Sequence, residues 1–488
     1  MPRLRSASIA LRRRFASLAL AVALAAACTQ PPPDDDPGSP SKTSSPGTEP
    51  RPDVVLVVLD DARWDDLIAM PRTRALIGRS GTSFTNAYVV NPSCCPSRAS
   101  ILTGAYSHTT GVFANHPPYG GRPVFQREGG ETSNIATALH DAGYRTALIG
   151  KYMNANREPT PPPGWDLFFS FFDMNGRYYD YTVSRNGDVL HFGDAPEDYS
   201  TDVFRDRATS FIRSTPDDQP LFLTFAPFAP HNVTVPAPGD EDAFASEVWE
   251  LPPSFDEVDL SDKPAHVRDE PPVAAEPIQR MRRGRLTTLL AVDRAVDRIV
   301  RVLADEGRLS SAIVIVTSDN GLALGEHRWQ FKGVPYEEVI RTPLLLRADA
   351  IDGLPARIDE LALNIDLAPT IADVAGLRPL TDADGTSLVP LLAGTSSDWR
   401  AGFLLENAID RSQPRHEVPS YCGYHTRRFV YVRYATGETE LYDLRTDPFQ
   451  LDNVAGDPGM RRIERELEGS ARRGCRPPPP EFSWSTGG

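Results

Sequence analysis

Apolar side chains run without a break through Val54-Val-Leu-Val-Val-Leu59, and Ala312-Ile-Val-Ile-Val-Thr317 follows the same pattern. No polar residue alternates with them, so each run reads as a strand buried on both faces, as in a parallel sheet. Residues 221–226 and 342–347 predict two more strands, while residues 131–142, 203–213 and 285–306 carry apolar positions at helical spacing. Strands alternating with helices predict an α/β fold, a sandwich around a mostly parallel sheet. Residues 233–278 are rich in Pro, Asp and Glu with weak periodicity and read as a surface excursion that could shape a cleft. After about residue 400 the pattern changes. Arg428-Phe-Val-Tyr-Val-Arg-Tyr434 and Thr436-Gly-Glu-Thr-Glu-Leu-Tyr-Asp443 alternate around a Gly-containing turn and predict an antiparallel hairpin. The large unit then spans residues 51–400, a small C-terminal α+β subdomain residues 401–475, and a tail residues 476–488.

Composition adds that 488 residues at 40% hydrophobic can bury a large core. The formal net charge of −15, with no basic stripe, argues against nucleic acid as a partner. An acidic protein that handles an anion must build positive potential locally, from a metal, Arg and Lys. The first 28 residues read as an export signal: Arg3, Arg5, Arg12, Arg13 and Arg14, then an apolar run from Phe15 to Ala27. That run is too short to span a bilayer comfortably. Leu24-Ala-Ala-Ala-Cys28 resembles the lipobox of bacterial lipoproteins, which implies cleavage before Cys28 and lipid attachment to its thiol. Ordinary cleavage at the Ala cluster, giving a secreted protein, is the alternative. Residues 29–50, almost free of apolar side chains, read as a solvated tether. Of five cysteines, Cys422 and Cys475 could form a disulfide in an oxidising compartment, and Cys95 reads as a buried, unreactive neighbour of Cys94.

Both strong strands end in polar clusters, Asp60-Asp61 and Asp319-Asn320-Gly321. Ligands of open α/β sheets bind beyond the carboxyl ends of strands, so these oxygens could converge. Three carboxylates and an amide oxygen form a hard donor set suited to calcium or magnesium. Between the two clusters lies Asn91-Pro-Ser-Cys94-Cys95-Pro96-Ser97-Arg98. Pro96 suits the first turn of a helix, which puts Cys94 at its mouth, where free amides favour an anion. Arg98, one turn on, can return to the same mouth and fork onto two anion oxygens.

Cys94-x-Pro96-Ser97-Arg98, followed by Leu102-Thr103-Gly104, resembles the signature of the type I, formylglycine-dependent sulfatases. The resemblance runs from about residue 51 to 460 and implies an alkaline-phosphatase-like fold with a small C-terminal subdomain. It implies oxidation of Cys94 to formylglycine by a formylglycine-generating enzyme, and one calcium ion held by Asp60, Asp61, Asp319 and Asn320 together with the modified Cys94. It further implies that Arg98, Lys151 and Lys332 bind the sulfate and that His231 faces the leaving group. Cys94-Cys95-Pro-Ser-Arg, Gly150-Lys-Tyr-x-Asn154 and Tyr178-Tyr179-x-Tyr-Thr are similar to the glucosamine-6-sulfatase subgroup, which implies a 6-sulfated glucosamine substrate. One departure stands out. Many sulfatases carry His two residues after the Lys of Gly-Lys, to serve as base in aldehyde regeneration, and here Met153 occupies that position. His108 and water are candidates for the role, and His327 is a candidate to line the site. Two alternatives remain: a phosphonate or phosphodiester hydrolase of the same superfamily, and a catalytically silent lipoprotein that binds sulfated glycans.

Overall fold

The computed structural model describes residues 51–172, 176–412 and 414–485, so Cys28 and the tether lie outside the described residues. Ten strands form one sheet: β1 (Val54–Leu59), β2 (Thr82–Tyr88), β3 (Arg145–Gly150), β4 (Leu167–Phe171), β5 (Tyr181–Arg185), β6 (Asp188–Phe192), β7 (Leu221–Ala226), β8 (Ile313–Ser318), β9 (Leu344–Ala348) and β10 (Arg357–Leu363). Their order is β10-β2-β9-β8-β1-β7-β3-β4-β5-β6. The central run from β8 to β4 is parallel, while β9 and β5 run against their neighbours. The unbroken apolar runs are therefore strands enclosed on both faces. Every residue of β1, β7 and β8 is buried.

The helices that cover the sheet include α1 (Cys94–Thr103), α2 (Ile135–Asp141), α3 (Ser200–Arg213), α4 (Ala275–Asp305) and α5 (Leu367–Val374), whereas α6 (Arg461–Gly474) packs on a smaller C-terminal sheet. Asn134 starts α2 with a capping box, accepting from the amides of Ala136 and Thr137, which is why this helix begins later than its apolar pattern predicts. The opposite holds for α4, which starts ten residues before Arg285 and takes in the end of the predicted excursion. The rest of residues 233–278 carries a short helix, Ala265–Arg268, within irregular chain.

A second, antiparallel sheet is formed by β11 (Gly402–Asn407), β12 (Tyr421–Thr426), β13 (Phe429–Tyr434) and β14 (Thr439–Asp443). The predicted hairpin is β13–β14, paired from Phe429 with Asp443 to Arg433 with Thr439. A disulfide between Cys422 and Cys475 ties β12 to the end of α6. The residues after Cys475, expected to be a tail, pack instead: Phe482 is buried in one apolar cluster with both cysteines and Leu404. No helix among the described residues is long and apolar enough to cross a membrane.

Candidate active site

Four neighbouring parallel strands, in the spatial order β3, β7, β1, β8, bring their carboxyl ends to one edge of the sheet. Lys151 follows β3, His231 lies five residues beyond β7, Asp60 and Asp61 follow β1, and Asp319 and Asn320 follow β8. Register keeps the last two pairs side by side, since Leu59 pairs with Ser318 and the amide of Asp319 donates to the carbonyl of Leu59. Gly150 makes the exit from β3 possible. Its φ is +120°, and a Cβ there would stand 1.9 Å from the carbonyl oxygen of Ala226. Asp61 takes a left-handed conformation, φ 68°, which an Asp tolerates better than most residues, and its amide donates to Asp319 Oδ1 at 2.9 Å.

The remaining side chains arrive from two other segments. Helix α1 begins at Cys94, and the amide of Cys95 donates to Asn115 Oδ1 at 2.8 Å. The residue is a thiol in this structure, and its Sγ occupies the position of the substituent that formylglycine would carry. Sγ lies 3.5 Å from Asp60 Oδ1, 3.4 Å from Asp61 Oδ1 and 2.7 Å from Lys332 Nζ. Arg98 reaches back along α1, donating through Nε to Asp319 at 2.8 Å and through Nη1 to the carbonyl of Lys151 at 2.7 Å. Lys151 Nζ donates to both oxygens of Asp60 at 2.8 Å, and Lys332 Nζ to Asp61 Oδ1 at 2.5 Å. His231 Nε2 stands 3.6 Å from Asp61 Oδ2, its ring stacked on Phe228 and its carbonyl held by the Tyr178 hydroxyl.

The nine residues singled out for this site thus meet in one place. The charge is balanced, three carboxylates (Asp60, Asp61, Asp319) facing three cations (Arg98, Lys151, Lys332). Burial raises the carboxyl values, but Lys332 on Asp61 and Lys151 on Asp60, with His231, outweigh it and hold both acids low. Asp319 is pushed up, burial exceeding the pull of Arg98. Burial opposes the charge on both lysines, yet Asp60 and Asp61 hold Lys151 and Lys332 above their ordinary value. Burial and the carboxylates Asp319 and Asp61 push the Cys94 thiol well up, and burial lowers His231 despite Asp61 and Asp60.

Ligand atoms of Asp60, Asp61, Cys94 and Asp319 all lie within 4.8 Å of one another. Among these paired groups, two buried atoms have no hydrogen-bond partner: Asn320 Oδ1 and Arg98 Nη2. A buried amide oxygen left without a donor fits a hard cation, and a buried guanidinium nitrogen left without an acceptor fits an anion. The residues present therefore suit a calcium or magnesium ion beside an oxyanion.

Other residues fall elsewhere. His108 Nδ1 pairs with buried Glu406 at 2.7 Å, and no hydrogen bond links it to Cys94. His327 is enclosed, Nδ1 on Glu257 at 2.5 Å and its ring against Tyr336, so it does not line the site. The sulfur of Met153 packs 3.7 Å from Cys95 Sγ, and burial pushes the Cys95 thiol up to about 11. Arg285, which marked only a predicted helix boundary, is fully buried and donates to the carbonyls of Asp61 at 2.6 Å and Pro230 at 3.3 Å. It also pairs with Asp66 at 2.9 Å. An arginine on the apolar face of a helical pattern was the available signal.

The chain belongs to the sulfatase family: residues 52–377 match the family as a whole, and residues 325–473 match the C-terminal part of N-sulphoglucosamine sulphohydrolase. It is 34% identical over 467 residues to N-acetylglucosamine-6-sulfatase of Homo sapiens, covering 86% of this chain and 83% of that one. It is 27% identical to N-acetylglucosamine-6-O-sulfatase of Bacteroides thetaiotaomicron, covering 86% and 85%. Against extracellular sulfatase homologues of Drosophila melanogaster and Caenorhabditis elegans, both 34% identical, the chain spans only 34% and 49% of their length. Among solved structures, a protein in complex with its substrate D-glucosamine-2-N,6-O-disulfate superposes with TM-score 0.76 at 25% identity, covering 87% of this chain and 98% of that one. A phosphonate monoester hydrolase from Silicibacter pomeroyi shares the fold at TM-score 0.70 and 24% identity, covering 88% and 96%. The ten-stranded sheet with its smaller antiparallel companion is the alkaline-phosphatase-like fold of the sulfatases.

Proposed function

We propose that the protein hydrolyses sulfate monoesters of sulfated sugars, of the glucosamine 6-sulfate type, at a formylglycine made from Cys94. The observation that carries this reading is Cys94 at the mouth of α1, enclosed by Asp60, Asp61, Lys332 and Arg98. The sugar class rests on the names of the relatives and on the disulfated glucosamine bound by the structural neighbour.

A calcium ion on Asp60, Asp61, Asp319 and Asn320, with the hydrated aldehyde at residue 94, would supply a nucleophilic oxygen at neutral pH. Arg98 offers Nη2, which has no hydrogen-bond acceptor and stands 3.9 Å from Asp60 Oδ1, to a sulfate oxygen, and its hydrogen bonds to Asp319 and Lys151 hold the guanidinium plane in place. Lys151 and Lys332, kept protonated by their carboxylates, balance charge that builds on the sulfate oxygens. His231 stands on the leaving-group side. Burial lowers the imidazole while Asp61 and Asp60 pull the other way, and His231 is assigned to proton donation toward the departing alcohol, with Lys332 beside it. His108 is engaged by Glu406, so the role left by Met153 is assigned to water.

The reading includes export, a lipid anchor at Cys28 on the outer face of the cell membrane, and maturation by a formylglycine-generating enzyme. The shared fold of the phosphonate monoester hydrolase keeps a second reading in play, hydrolysis of phosphonate esters or phosphodiesters. Mass spectrometry of the tryptic peptide from Ser80 to Arg98, from protein made in its own host, tests the first step. An aldehyde at residue 94, with turnover of glucosamine 6-sulfate above that of phosphate mono- and diesters, supports the proposal. A thiol in every preparation overturns it in favour of a silent glycan-binding protein, and preferential turnover of a phosphodiester overturns the sulfate assignment.

A further inference from the structure

Outside the candidate active site, the surface carries two adjoining hollows of roughly 650 and 630 Å³. They share Trp64, Asp65 and Arg341, and the chain reaches them directly from the metal-ligand pair, Trp64 lying three residues after Asp61. The second hollow is lined by Arg74, Arg79, Arg341 and Arg357 against a single carboxylate, Asp65. That carboxylate is already held by Arg63 and Arg282, each at 2.9 Å. Arg74 and Arg79 are exposed and have no ion-pair partner among the described residues, and Arg357 pairs with Asp359 outside the hollow. In a protein with net charge −15, four arginines around one hollow are a local reversal of sign.

The apolar part of the hollow is equally specific. Trp64 is 44% exposed and Ile68 56% exposed. The guanidinium of Arg341 lies 4.6 Å from the centroid of the Trp64 ring, and its Nε and Nη2 donate to the carbonyl of Thr85. Trp64 is therefore held as a platform whose indole also faces both hollows. A flat aromatic surface flanked by forked cationic donors suits a ligand with a ring to stack and oxyanions to bind bidentately.

We propose that this groove binds a sulfated glycan chain at a site separate from the one that cleaves it. The naming of the polymer rests on the sulfatase reading, whereas the groove itself requires no chemistry at Cys94. An enzyme acting on a polyanion gains residence on it from such a site, because a second attachment point raises the effective concentration of chain at the first.

The test uses the full chain and a heparin decasaccharide as probe, with binding measured by calorimetry and turnover on a small aryl sulfate. In R74A/R79A, affinity for the decasaccharide is expected to fall about tenfold or more, as two charge-assisted contacts are lost. Its thermal midpoint and aryl sulfate turnover should stay as in the wild type. W64A should weaken binding as well, by severalfold. Unchanged affinity in R74A/R79A overturns the proposal. So does an intact W64A, which would reduce the groove to simple ion exchange, or equally tight binding of a DNA duplex of matched charge. Heparin binding through these residues in a protein that turns over no sulfate ester would preserve the groove and sink the proposed function. Sulfate turnover with no heparin binding would do the reverse.

Discussion

His231 and Lys332 face the same small volume, yet their surroundings push them in opposite directions. Burial lowers the imidazole, whereas Asp61 raises the ammonium above its ordinary value against burial. If His231 serves the leaving group, its worth depends on how badly that group needs a proton. H231A should therefore cost about 100-fold or more on a sugar sulfate, whose alkoxide is a poor leaving group, and far less on nitrophenyl sulfate. Equal losses on both esters in steady-state kinetics would remove His231 from that role. Arg285 acts at one remove, through the carbonyls of Asp61 and Pro230. R285M leaves the buried Asp66 carboxylate without its partner and should melt lower, and if Arg285 also positions Asp61 it should lose calcium affinity and kcat/KM by about 10–100-fold as well. Isothermal titration with calcium separates this from a purely structural role, which would lower the melting point and leave ion affinity in the surviving fraction intact. The candidate metal-binding residues Asp60, Asp61, Asp319 and Asn320 could be picked out in the sequence because each sits at the end of a strand that its own apolar run announces. Arg285 showed only as an arginine on the apolar face of a helical pattern, because the backbone carbonyls of Asp61 and Pro230 that it holds leave no trace in residue identity.

At the level of elements, the central strands could be read because burial on both faces leaves an unbroken apolar run. The outer hairpin of the same sheet escaped, although Asn186-Gly187 between β5 and β6 is a strong local turn signal, both residues having positive φ, 52° and 102°. Its strands are short, and β6 is largely exposed, so apolar content did not reveal them. The tie between β13–β14 and the main sheet escaped as well. Glu440 is fully buried on β14, accepting from the hydroxyls of Tyr336 at 2.8 Å, Tyr434 at 2.5 Å and Tyr442 at 2.6 Å. Tyr336 follows the loop that carries Lys332, so this carboxylate joins the C-terminal sheet to the segment holding a lysine of the candidate site. E440Q keeps the shape but offers one acceptor oxygen to three donors. It should lose about 1.5–3 kcal/mol in urea unfolding, more than Y434F, which removes only one of the three hydroxyls. A variant as stable as the wild type would show that the cluster contributes no net stability.

Across the whole molecule, the same loop is held from the C-terminal sheet a second time. Glu337 accepts from His425 Nε2 of β12 at 2.7 Å, and from the hydroxyl of Tyr88, at the end of β2, at 3.1 Å. Burial alone would raise the Glu337 carboxyl, but the hydrogen bonds and charges of His425, Arg341 and Tyr88 prevail and hold it below its ordinary value of 4.5. A carboxyl lowered in the folded state binds its proton more readily when unfolded, so its contribution is present above about pH 4.5 and is lost as pH falls through the folded value. E337Q removes the charge and keeps the amide's shape. Its melting temperature should lie below the wild type's at pH 6–7, and the gap should close as pH is taken below about 4.5 and through the folded value. A gap that stays constant with pH would mean that the contact matters for packing alone. The consequence for function follows from where the loop leads. Lys332 lies five residues before Glu337, and the docking of the small sheet holds that stretch through both Glu337 and Glu440. Acidification that loosens the first contact should therefore reduce turnover before the molecule unfolds, and E337Q should show the reduced turnover already at neutral pH.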